Sequence, residues 1–313
     1  GLVMLDGKWG ALDEDGEEVI TAEYEQLFLH DIPMHGYIYA KHGGQWGVID
    51  QQGREVKPFI YDEIGVHRSF FEDHIVADSG GYIGYLNKDF EWVIPPKEGR
   101  HFPGHFSDGM IPFRESGLSG YLNVKGEVAI SPQFYEAGSF GDGFAPVKIL
   151  QNDKVWQFID TKGNKVKEIE AYSVGRFQGG FAIVEFYDET EAYVNKDFEI
   201  VLKGKFWLDY FNNDYAIIKT KDDQYLHGMV DTNGKILIEP KYENLNYRDK
   251  YDVLIYWEDG LQGLMTPDGE IIFPAEAKDI DWTLEWYDNL VLTDTQDGKE
   301  GYIDLNGKKY YED

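Results

Sequence analysis

The chain has no cysteine, which excludes disulfides and thiolate metal sites and leaves the redox compartment open. It is short of positive charge: 29 Lys and Arg stand against 58 Asp and Glu, a formal net charge of -29 at pH 7. Such a surface repels phosphate backbones and anionic lipid, so neither nucleic-acid binding nor membrane-surface binding is expected. No stretch approaches the roughly 18 consecutive apolar residues of a spanning helix, and no membrane insertion is expected. A signal peptide is not visible, but the sequence opens at Gly1, inside the opening strand of its first repeat, so a leader or fused domain stays open, and so does the compartment. Also missing are a G-x-S-x-G elbow and a glycine-rich phosphate loop before a helix.

What the chain does have is repetition. Its 313 residues are 42% hydrophobic and 16% aromatic, ample for a buried core. A register glycine or its equivalent recurs at Gly10, Gly47, Gly84, Gly120, Gln157, Ala192, Gly228, Gly263 and Gly301, with spacings of 37, 37, 36, 37, 35, 36, 35 and 38. A period of that size marks a repeat architecture.

Two residues after the register position stands an aliphatic residue or Met (Leu12, Ile49, Leu86, Leu122, Ile159, Val194, Val230, Met265, Ile303). Three after it stands Asp or Asn, with Thr266 the exception, and six after it Gly, with Phe90 and Phe198 the exceptions. An Asx side chain that accepts the next backbone amides starts a turn, and a glycine three later takes positive φ and closes a hairpin with a bulge. Phe90 and Phe198 share an Asn-Lys-Asp-Phe string and are expected in a different turn form. Nine residues after the register position a large apolar residue such as Val19, Val56, Val93 or Leu237 is expected to face the core from the second strand.

A further alternating strand precedes each register position, as in Phe144–Val147. Before it comes an aromatic anchor and a polar turn, as in Phe106-Ser107-Asp108-Gly109, Phe140-Gly141-Asp142-Gly143, Phe177-Gln178-Gly179-Gly180 and Phe211-Asn212-Asn213-Asp214. The expected fold is therefore all-β: about nine three-stranded antiparallel meanders, each too small to bury its apolar face alone. They form one domain over 1–313, with repeats at 1–35, 36–73, 74–109, 110–143, 144–180, 181–214, 215–252, 253–289 and 290–313. An open, curved or superhelical stack is favoured because nine short units exceed the usual propeller range; a closed or nearly closed β-propeller is the alternative.

Lys8-Trp9-Gly10 and Gln45-Trp46-Gly47, each followed by the aliphatic–Asx–x–x–Gly string, with Tyr24 and Tyr61 downstream, resemble the WG repeats of bacteria, also called KWG repeats. The tryptophan recurs at Trp156, while Ile83, Ser119, Glu191, His227, Gln262 and Glu300 take its place elsewhere. The resemblance covers nearly the whole chain. It implies a β-rich module that serves interactions, with no catalytic residues to carry over.

The residues themselves offer little catalysis. His101 and His105 are separated by Phe102-Pro103-Gly104, a loop sequence, and His67, Glu72, Asp73 and His74 form a polar linker. Asp13-Glu14-Asp15-Gly16 resembles an acidic calcium loop, but its Asp and Gly are the repeated turn positions. No enzyme activity, cofactor or metal is expected. Departures from the repeat are freest to serve function. Phe206, Trp207 and Tyr210, and Trp282, Trp286 and Tyr287, are aromatics flanked by acids that replace or lengthen ordinary linkers. Such patches suit a basic peptide, a cationic group or a sugar. The expected function is a non-catalytic scaffold that binds a protein or basic peptide; the alternative is a carbohydrate- or cell-surface-binding module.

Overall fold

The computed structural model describes residues 1–28, 36–65, 74–281, 290–295 and 300–311. Among these the regular structure is antiparallel β-sheet, with one 3-10 turn at Asp249–Tyr251 and no α-helix. The sheets follow one another along the chain, each a meander of sequential strands, and none closes on itself.

The first sheet has three strands, Leu2–Leu5, Lys8–Leu12 and Glu18–Tyr24. From the second sheet to the seventh there are four. In the second these are Gln26–Phe28, Tyr37–His42, Gln45–Asp50 and Glu55–Tyr61. The expected three-stranded unit therefore lacks one strand, the short first one. It escapes a periodicity reading because it spans only two residues in Glu63–Ile64 and in Ser173–Val174. The chain leaves one sheet at Tyr24 and enters the next at Gln26, with the Glu25 N–H donating to the Lys41 carbonyl at 2.8 Å. In the eighth sheet a single strand, Ile271–Asp281, fills both roles and joins two repeats into one seven-stranded sheet.

The repeated turn forms as its residues dictate. Asp13 Oδ1 accepts the amides of Asp15 and Glu17 at 3.0 and 2.9 Å, and Asp231 Oδ1 accepts those of Asn233 and Lys235 at 2.9 Å each. At the exception, Thr266, the side-chain Oγ1 accepts the Glu270 amide at 3.0 Å. Phe90 and Phe198 do not adopt a different form. Their amides close the same turn onto Asn87 and Asn195, with φ of 57° and 61°. The left-handed backbone costs a residue with Cβ about 1 kcal/mol or more. Burial of the Phe90 ring, edge-on to Tyr37 at 5.6 Å, offsets that cost.

The apolar residue nine after the register position packs against the core in several repeats, as Val56, Val93, Val201, Leu237 and Ile272 do, but it is rarely the most buried residue of its strand. It is the extra residue of a β-bulge. Ala11 pairs with Ile20 and Leu12 with Glu18, so Val19 is skipped and stands exposed while Ile20 is buried. Val56, Val93, Ala129, Val201, Leu237 and Ile272 are skipped in the same way. The bulge inverts the side-chain phase by one residue, which alternation alone does not foresee.

The chain divides into two compact units, residues 1–153 with 157–166, and residues 154–156 with 167–313. In the first, Ile20 and Tyr24 of the first sheet pack with Leu27, Ile38 and Ile49 of the second. Trp46 and Tyr61 of the second pack with Ile64, Ile75 and Leu86 of the third. In the second unit, Tyr193 packs with Leu208, Phe211 and Ile218, and Met229 and Ile238 pack with Leu245, Leu254 and Met265. Each sheet thus completes its core with its neighbour, as repeat arrays do.

Candidate functional site

The segment Phe206–Tyr210 belongs to the second unit and opens the seventh sheet, formed by Phe206–Leu208, Tyr215–Thr220, His227–Asp231 and Ile236–Tyr242. Strand alternation sends its aromatics to different places. Phe206 is half-buried and packs against the Tyr193, Leu208 and Phe211 core. Trp207 is 47% exposed, and the Lys221 ammonium lies 4.0 Å from the centre of its ring. Tyr210 is half-buried, its hydroxyl donating to the Arg176 carbonyl at 3.4 Å, and burial pushes that phenol above its ordinary pKa. The three do not make one patch. Trp282, Trp286 and Tyr287 lie outside the described residues, as does His67 with Glu72 and Asp73.

Behind Trp207 the sequence departures at the tryptophan position find a structural use. Glu191 stands there, buried, and pairs with Lys221 at 2.9 Å while its Oε2 accepts the Leu208 amide at 2.9 Å. Gln262, at the same position two repeats later, accepts the Ile280 amide at 2.8 Å through Oε1. Both satisfy the backbone of the next outer strand in the absence of an indole. His227, at that position in the repeat between, is pushed below the usual imidazole range by burial first and by Lys219 second.

A cavity of about 220 Å³ in this unit opens at the seam of the seventh and eighth sheets. Met229 and Leu245, both buried, line its apolar part. Tyr210, Tyr215 and Tyr247 supply aromatic walls, and Asp209 and Asn246 polar edges. Tyr215 and Tyr247 meet edge to face, ring centres 5.3 Å apart at 81°. The Tyr247 hydroxyl donates to Asp252 Oδ1 at 2.8 Å, and Asp209 lies 3.6 Å from the Lys219 ammonium. The Tyr215 phenol is pushed above its ordinary pKa by burial first, then by the carboxylates of Asp252, Asp214, Asp268 and Asp231. No lysine or arginine lines the cavity. The site is therefore aromatic, hydrogen-bonding and set in a negative field.

The anchor of this repeat differs from those before it. Phe106, Phe140, Phe177 and Phe211 stand four residues before the strands that start at Met110, Phe144, Phe181 and Tyr215, and all four are buried. In the next repeat the hairpin closes at Arg248 and Val253 over four residues, Asp249–Asp252, instead of two, and Tyr247, paired with Leu254, takes the anchor position. Phe211 packs on Phe181 and Tyr193 at 4.6 and 4.7 Å. Their counterparts one repeat later are Tyr215 and Met229, and both line the cavity. The cavity sits beside this anchor ring, which is half-buried where Phe211 is buried. Tyr215, Asn246, Tyr247 and Asp252 were not legible as site residues, because the longer turn moves Tyr247 to six residues before its strand and so out of the spacing of the other anchors.

The sequence model of the WG containing repeat matches residues 9–44, 46–73, 83–97, 120–154, 156–188 and 228–252, more than half of the chain. No curated protein matches this chain. Among solved structures, the crystal structure of a eukaryotic initiation factor is similar, with a TM-score of 0.52 and 11% identity, covering 99% of this chain and 94% of that one. That likeness concerns the fold alone. BamB from Moraxella catarrhalis gives a TM-score of 0.40 at 11% identity over 96% and 92% of the two chains, and Kluyveromyces lactis Hsv2p gives 0.36 at 12% over 85% and 93%.

Proposed function

This chain belongs to the WG containing repeat family, and on that premise we propose that it is a non-catalytic scaffold that binds a protein or peptide segment of basic character through its acidic and aromatic surface. The observation that carries the reading is the cavity at the seam of the seventh and eighth sheets: tyrosine walls, no cationic lining and the carboxylates of Asp214, Asp231, Asp252 and Asp268 acting on Tyr215. The net charge of -29 supports the same polarity at long range, since it speeds encounter with cations and slows it with anions.

The carbohydrate alternative rests on exposed rings, Trp207 foremost. One face of that indole already carries the Lys221 ammonium, which leaves less of it for stacking on a sugar. A cavity of about 220 Å³ is also smaller than the roughly 300–1,000 Å³ common for drug-sized ligands, which favours one side chain over an oligosaccharide. The test is a binding measurement on immobilised protein with arrays of basic, neutral and acidic peptides and of neutral glycans. Basic peptides are expected to bind, and less so as sodium chloride rises. Binding of glycans alone, abolished by Trp207→Ala, would overturn the reading in favour of the sugar.

A further inference from the structure

The hairpin between the second and third strands differs among the sheets. It is a two-residue turn in the second, third and fourth sheets, at 43–44, 80–81 and 116–117, and again in the eighth, at 259–260. In the fifth, sixth and seventh it runs over 149–154, 186–190 and 221–226. An acid holds two of the tight turns. Glu25 accepts the amides of Gly43 and Gly44 at 3.1 and 3.0 Å, and Asp62 those of Gly80 and Gly81 at 2.7 and 3.3 Å. At the same register Tyr172 stands in the sixth sheet and Phe206 in the seventh. Where the loop is long, a ring thus replaces the carboxylate that closes the turn. Lengthened loops on one side of a repeat array often mark its binding face.

The sixth and seventh sheets belong to one unit, which also holds Lys154. Their long loops and the strands beside them carry Tyr172, Tyr187, Trp207 and Tyr225, which are 47–60% exposed; no other described aromatic of the first seven sheets exceeds 41%. Lys221 ties the two sheets together here, 3.7 Å from Glu185 and 4.0 Å from the centre of the Trp207 ring. Tyr172 meets Tyr187 edge-on, ring centres 5.9 Å apart at 86°, and the Lys154 ammonium lies 5.1 Å from the centre of the Tyr187 ring. Asp188, Glu189, Asp222 and Asp223 are exposed in the same loops. Tyrosine and tryptophan carry much of the energy of protein interfaces. Two of these rings already hold an ammonium of the chain itself, and the loop carboxylates repel an anionic partner. We propose that these loops dock a basic segment of a partner protein, its cationic side chains paired with the loop carboxylates and its apolar ones on the exposed rings. This rests on the scaffold reading above and gives it a second contact. The cavity is lined from the Tyr215 end of strand Tyr215–Thr220, whereas the loop leaves from the Thr220 end.

Isothermal titration and amide chemical shifts of the full chain measure the binding of capped peptides that repeat Arg-Leu-Ser, Gln-Leu-Ser or Glu-Leu-Ser. Three variants accompany the native chain. Tyr187→Ser with Tyr225→Ser removes two exposed rings, and Glu189→Lys with Asp223→Lys reverses two loop charges. All four side chains are exposed, so both variants are expected to keep native circular dichroism. Asn246→Lys places a cation at the cavity instead.

The Arg peptide is expected to shift the amides of 186–190 and 221–226 in the native chain and in Asn246→Lys. The affinity read from those shifts is expected to fall at least about tenfold in each loop variant. The Gln peptide is expected to bind at least about tenfold more weakly than the Arg peptide, and the Glu peptide not at all. Arg-peptide affinity unchanged in both loop variants, or equal affinity of the Arg and Glu peptides, overturns the proposal. Failure here is distinct from failure of the scaffold reading. An Arg peptide that binds both loop variants like the native chain but is lost in Asn246→Lys refutes the loop surface and leaves the scaffold, whereas one that binds none of the four proteins refutes both.

Discussion

At Phe90 a single residue carries both a turn and a core contact. Phe90 holds a left-handed φ of 57° in a turn position that is glycine in seven other repeats, while its ring is buried. Replacing a buried phenylalanine by alanine costs about 3–5 kcal/mol. Glycine loses the same ring but relieves the left-handed strain, worth about 1 kcal/mol. Phe90→Gly is therefore expected to be less destabilised than Phe90→Ala, the reverse of the usual order in strands. Urea unfolding of the two variants checks this, and a more stable alanine variant would contradict the strain argument. The Asx positions were fully legible, because an Asx acceptor two and four residues from its donors is a local event. The Glu191–Lys221 pair was not, since its partners are 30 residues apart and meet only once the sheets stack.

At the scale of elements, the turn and the bulge interlock between successive repeats. A Cβ at Gly126, Gly234 or Gly307 would collide with the carbonyl oxygen of Val93, Val201 or Ile272, the bulged residue of the preceding repeat. A Cβ at Gly16 would meet nothing within 4 Å. Both Gly16 and Gly234 have positive φ, 83° and 78°. Gly16→Ala is thus expected to cost the backbone term alone, about 1–2 kcal/mol. Gly234→Ala is expected to cost at least about 2 kcal/mol more, because backbone atoms must move to clear the overlap. Thermal unfolding of the pair separates the two costs, and equal losses would show that the neighbouring sheet yields freely. The sequence announced the hairpin but not the bulge, since the skipped residue is as apolar as the buried one after it: Val19 beside Ile20, Leu237 beside Ile238. Composition does not distinguish them; the pairing does. Likewise Ala192 replaces a register glycine where Glu191, Ala192 and Tyr193 pair without interruption, whereas at Gly10 the register shifts and a Cβ would lie 2.5 Å from the Ile20 carbonyl oxygen.

For the whole molecule the dominant property is charge. A formal charge of -29 repels itself, and salt screens that repulsion over a Debye length of about 10 Å at 0.1 M. The melting temperature is expected to rise by several degrees from low salt to about 0.3 M sodium chloride, measured by calorimetry, while affinity for basic peptides falls over the same range. A melting temperature that drops with salt would mean that attractive ion pairs such as Glu191–Lys221 outweigh the repulsion. By itself the sequence determined the repeat, its period, the Asx turns and the buried anchors Phe106, Phe140, Phe177 and Phe211, because each rests on contacts within about ten residues or on a pattern repeated nine times. Only the tertiary structure decided the fourth strand, the phase of the bulged strand and the cavity beside Tyr215 and Tyr247, because these arise where one sheet meets the next, and no single stretch of chain contains both sides of that contact.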